Sequence, residues 1–115
     1  MSQFEILKNI ALSFPETTEA PHFEKTSFKV KKKIFATYTA TQNQACLKLS
    51  EVDQDVFSAM GKEAIYPVPN KWGAKGWTFI ELDKMSKELL MDALKAAYIC
   101  VAPKKLGEQI ELKKD

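Results

Sequence analysis

Helical spacing of apolar residues runs longest at the two ends of this chain, and mostly short alternating runs fill the space between. Phe4, Leu7, Ile10, Ala11 and Phe14 recur at helical spacing behind Ser2-x-x-Glu5, a capping-box pattern, until Pro15 ends the segment. Near the other end Ser86 stands before a face of Leu89, Leu90, Ala93, Leu94, Ala97 and Val101. Between them, Ser27 to Lys31, Ile34 to Thr39, Ala45 to Ser50 and Trp77 to Leu82 read as strands, with Gln42-Asn43-Gln44 turning between the second and third. The first three should form an antiparallel meander. Asp53 is expected to cap a short helix through Val56, Phe57 and Met60, with Gly61 as its left-handed stop. Glu16 to Lys25 and the Pro- and Gly-rich stretch Ala64 to Gly76 read as loops, and the lysine-rich chain after Pro103 as loosely ordered.

The pattern predicts one domain over residues 1–115, of α/β (α+β) class, with an antiparallel sheet of about four or more strands backed by N- and C-terminal helices. With 115 residues, 45% of them hydrophobic, it can bury one modest core. No run approaches the roughly 18 apolar residues of a membrane span, and Met1-Ser2-Gln3-Phe4-Glu5 lacks a signal peptide's basic start. A cytoplasmic protein without a membrane partner is expected. Cys46 and Cys100 lie far apart with no C-x-x-C pair, which predicts reduced, buried packing residues.

Charge is distributed unevenly. From His22 to Lys48 six lysines face one acid, Glu24, giving +5, whereas residues 49–70 set Glu51, Asp53, Asp55 and Glu63 against Lys62, giving −3. Phe28-Lys29-Val30 and Ile34-Phe35-Ala36 flank Lys31, Lys32 and Lys33, which fall where the chain must reverse. A stiff ribbon carrying clustered ammonium groups suits a phosphate backbone and is narrow enough for a DNA major groove. Lysine is also the residue of solvated hairpin tips and protected edge strands, so both readings stand at this stage. All 17 basic residues are lysine, so the arginine fork that reads guanine bidentately is missing.

A second candidate surface is Pro69-Asn70-Lys71-Trp72-Gly73-Ala74-Lys75-Gly76. Gly73 and Gly76 would let the backbone approach a partner, Lys71 and Lys75 would meet phosphates, and Trp72 would lie on a base or sugar. A structural turn whose tryptophan folds back over the sheet is the competing reading. Trp77, heading an apolar strand, reads as a core anchor. His22 is the single histidine, with Glu16, Glu19 and Glu24 around it in sequence. No H-x-x-x-H, no neighbouring cysteine and no G-x-S-x-G elbow accompanies it, and Gly73-x-x-Gly76 is no Walker pattern, so no metal, cofactor or catalytic residue is assigned.

The order of motifs resembles the MmcQ/YjbR family of small bacterial proteins. The resemblance runs through Phe14-Pro15, Pro21-His22-Phe23, Phe28-Lys29-Val30 with Lys33-Ile34-Phe35-Ala36, and Tyr66-Pro67-Val68-Pro69. It continues through Gly76-Trp77, the helix around Tyr98 and Val101-Ala102-Pro103-Lys104-Lys105-Leu106. The family's fold is grouped with frataxin-like domains and described as a double-wing DNA-binding type. Its hairpin tip often holds glycine where this chain has Lys31-Lys32. Frataxins carry an acidic iron-binding ridge on the first helix, where this chain has Glu5 with Lys8, so frataxin-like metal binding is not implied.

The expected function is non-catalytic, weak and sequence-insensitive DNA binding through Lys29, Lys31, Lys32 and Lys33 on one wing and Lys71, Trp72 and Lys75 on the other. The alternative is a protein-interaction or small-ligand module using a pocket lined by His22, Tyr66 and Trp72. An enzyme of another kind is the third reading.

Overall fold

In the computed structural model, which describes residues 2–22 and 24–112, with His22, Glu111 and Leu112 described by their backbones alone, the Ser2–Glu5 capping box forms in both directions. It opens α1 (Gln3–Ser13), which ends just before Pro15. Six strands follow: β1 (Thr17–His22), β2 (Lys25–Val30), β3 (Lys33–Thr39), β4 (Gln44–Lys48), β5 (Ile65–Pro67) and β6 (Trp77–Glu81). They form one antiparallel sheet in the order β1-β2-β3-β4-β6-β5.

The helices are α2 (Glu51–Gly61), the single-turn α3 (Lys71–Ala74), α4 (Lys87–Val101) and α5 (Lys104–Leu112). Ser86 caps α4 through the backbone N–H of Leu89, as its sequence predicts. The core lies between one sheet face and α1 and α4, where Leu7, Ala11, Ala93, Leu94, Ala97 and Tyr98 meet Phe28, Val30, Ala36 and Leu47, all fully buried.

A β-bulge shapes that core. Phe28 pairs with Ala36 but Lys29 with Ile34, so Phe35 is the extra residue on β3. Its ring is buried edge-on to Tyr98, at 5.6 Å between centroids, while the Tyr98 hydroxyl donates to the Pro15 carbonyl at 2.7 Å. Past the bulge Val30 pairs with Lys33, leaving a two-residue tip of Lys31 and Lys32 with φ of 50° and 70°. Positive φ at both positions is the signature of a type I′ turn, here made without glycine or asparagine.

Several expectations need correction. The predicted loop from Glu16 to Lys25 contains β1, and the predicted loop from Ala64 to Gly76 contains β5 and α3. Both new strands are sheet edges, and each carries a proline, Pro21 and Pro67, where an absent N–H costs no ladder bond. Ser50, not Asp53, caps α2. Gly61 has φ −87°, and the left-handed residue is Lys62; glycine is needed at 61 because a Cβ there would overlap the Ile65 side chain. Val56 and Met60 on that helix are exposed, and the segment after Pro103 is α5, anchored by buried Leu106. Phe23 lies outside the described residues. No helix is long and apolar enough to cross a membrane among the described residues.

Candidate nucleic-acid interface

Register places the two lysine-bearing elements together. The row Phe28–Ala36–Leu47–Thr78–Pro67 crosses five strands, and beyond it on one side lie the β2–β3 tip, the Lys48–Trp77 pair and the start of α3. Val68 continues that end, its N–H donating to the Trp77 carbonyl at 3.1 Å. Lys29, Lys31, Lys32 and Lys33 therefore share one end of the sheet with Lys71, Trp72 and Lys75. Lys48 stands between the two groups, a contribution that its place inside an alternating strand hides in the sequence.

The lysines are not equivalent. Lys31 is ion-paired to Glu16, a residue itself held at φ 57°. Lys32, Lys33 and Lys71 are exposed and form no ion pair among the described residues. Lys75 lies over the Trp72 indole, with its ammonium 5.1 Å from the ring centroid. Asn70 caps the turn beneath, its side-chain oxygen accepting from the Trp72 N–H at 2.8 Å.

Gly73 and Gly76 serve the fold rather than a partner. A Cβ at Gly73 would overlap the Val68 carbonyl, and one at Gly76, where φ is 106°, the Leu49 carbonyl. The space the sequence reserves for a ligand is filled by the chain itself. Gln54, buried on α2, donates to the carbonyls of Gly73 (2.9 Å) and Trp77 (3.2 Å) and to the Thr78 hydroxyl (3.0 Å), fixing the second wing to the body.

The sheet face away from α1 and α4 carries Lys25, Thr37, Cys46, Trp77, Phe79 and Glu81. Trp77 is thus half-buried on this open face and not a core anchor; Thr78 and Ile80 point inward instead. Trp77 and Phe79 join Trp72 around a groove of about 320 Å³. Trp72 is 51% exposed, so it both projects and walls this groove. At its edge the Tyr66 hydroxyl donates to the Glu81 carboxylate, which also accepts from the Gln44 amide at 2.9 Å. The Tyr66 hydroxyl, then Gln44, holds the Glu81 carboxyl below its usual range, while the same bond and partial desolvation push the Tyr66 phenol up.

The pocket expected from His22, Tyr66 and Trp72 does not assemble. His22 lies on β1 and Tyr66 on β5, the opposite edges of a six-stranded sheet, about 24 Å apart along it. The His22 side chain is outside the described residues. Cys46 is half-buried in the open face, its thiol pushed up to about 11 by burial, which keeps it protonated at neutral pH. Cys100 is exposed on α4, contrary to the buried role expected of it. Among the described residues no three His, Cys, Asp or Glu side chains group as metal ligands.

The YjbR family model matches residues 12–100. The chain belongs to the YjbR family. The YjbR match spans the hairpin, α3 and the open face, and leaves out most of α1 and all of α5. The fold is similar to the crystal structure of Deinococcus radiodurans protein DR2400, described as a DUF419 domain. The TM-score is 0.71 at 25% identity, over 84% of this chain and 76% of that one. Comparison with curated proteins gave no match.

Proposed function

We propose that this YjbR-family protein is a cytoplasmic, non-catalytic DNA-binding protein that grips the phosphate backbone weakly and without regard to sequence. The observation that carries the proposal is the convergence of the β2–β3 tip and α3 on one end of the sheet. Lys29, Lys32, Lys33, Lys71 and Lys75 supply point charges there, Lys48 adds one between the wings, and Lys31 is partly neutralised by Glu16. Lysines without an arginine fork position a duplex but do not read base edges. A non-catalytic role agrees with the raised thiol of Cys46, which makes it a poor nucleophile.

The test is binding of random duplex and single-stranded DNA across a salt titration, with polyglutamate as a control polyanion. Salt-sensitive binding of DNA that exceeds binding of polyglutamate is expected. No binding at low salt would leave the alternative, a protein-interaction or small-ligand module, which the open-face groove favours.

A further inference from the structure

We infer that the open-face groove seats one unstacked nucleobase, so that the protein prefers single-stranded to duplex nucleic acid. The inference rests on the DNA-binding reading above and adds the chemistry of a second contact. Three aromatic side chains from two elements converge there, Trp72 from α3 and Trp77 and Phe79 from β6. Between these rings and Lys25 the lining is small, with Thr37 and Cys46 as neighbours across β3 and β4, which leaves room for a planar group on the sheet. The volume of about 320 Å³ sits at the low end of small-molecule sites.

Charge selects the occupant. Lys25 lines the groove, and Lys75 rides on the Trp72 ring that walls it. The carboxylate on this face, Glu81, is already engaged by Tyr66 and Gln44. A planar group carrying a nearby negative charge fits this setting, and a nucleotide is such a group. The groove is also continuous with the lysine end of the sheet, because α3 contributes Trp72 to the groove and Lys71 to that end, where Lys75 follows as its C-cap. A base can enter only after leaving its stack, which costs least in a single strand. Trp72 is held ready for stacking by the Asn70 cap and the Lys75 ammonium, with half its surface still free.

The experiment titrates the full chain, followed by tryptophan fluorescence at about 50 mM salt, with three ligands of equal length. These are a thymine oligonucleotide of about 12 residues, an abasic strand with the same phosphates, and a random duplex. The thymine strand should quench tryptophan emission and bind about 5- to 150-fold more tightly than the abasic strand, the range expected for one stacked base. It should also bind more tightly than the duplex. Trp72→Ala should remove that advantage, bringing the thymine strand to the affinity that the same variant shows for the abasic strand. Equal affinity for thymine and abasic strands in wild type, or an advantage that survives Trp72→Ala, overturns the base seat but not the phosphate contacts. Failure of all three ligands to bind overturns the DNA-binding reading itself.

Discussion

The side-chain amide of Gln54 donates to the carbonyl oxygen of Gly73 at 2.9 Å, and this bond ties the buried side of α2 to the short helix that carries Lys71 and Trp72. The same nitrogen reaches Trp77 O and Thr78 Oγ1, so one polar side chain, 8% exposed, organises the turn before β6. Gln54→Leu removes the donor and leaves buried acceptors without it. A loss of at least about 2 kcal/mol in unfolding free energy is expected from urea denaturation. Amide exchange should rise around Gly73 to Gly76 more than in the β2–β3 hairpin.

The hairpin tip should respond in the opposite sense. Lys32 has φ 70°, a conformation that costs an L-residue about 1 kcal/mol and glycine almost nothing. Lys32→Gly keeps the Lys31–Glu16 ion pair and should raise the melting temperature by about 4 °C. A lower melting temperature would mean that Lys32 makes a stabilising contact outweighing its strain.

Glu81 sets an acid limb of stability. Its carboxyl lies below the ordinary 4.5 because Tyr66 and Gln44 donate to it, so the folded state holds the proton less readily than the unfolded chain. The stability this contributes is present above about pH 4.5 and is lost as pH falls through the lower folded value. Urea midpoints measured between neutral pH and acid should fall less steeply for Glu81→Gln than for wild type. Identical slopes would show that the Tyr66–Glu81 bond contributes nothing to the folded state.

How much of this was legible in the sequence depends on which neighbour each residue met. The cap serines of α1 and α4, the hairpin around Lys31–Lys32 and the strand order of the meander follow from local pattern, and they are present. The segment Trp77-Thr78-Phe79-Ile80 is apolar on both faces, so alternation alone favoured burying the tryptophan. The choice was made by Thr78, whose hydroxyl donates to the Gly76 carbonyl and accepts from Gln54, partners distant or invisible in the pattern. Strand β1, reading Thr-Thr-Glu-Ala-Pro-His, carries no apolar alternation because it is an edge strand held mainly by its pairing with β2. The pairing of Lys31 with Glu16 joins residues 15 positions apart across that same edge, and charge counting along the chain cannot show it.

The account turns on lysines meeting phosphates at one end of the sheet, and salt dependence measures that most directly. Each phosphate contact on duplex DNA lowers the logarithm of affinity by about 0.9 per logarithm of salt, so four to six contacts give a slope near −4 to −5. In the triple variant Lys31→Gln, Lys32→Gln, Lys33→Gln the slope should shrink by about 2, with affinity lowered on every sequence alike. Lys31 adds little because Glu16 already occupies it. A triple variant with the wild-type slope, or wild type that fails to bind duplex DNA at about 50 mM salt, would contradict the account.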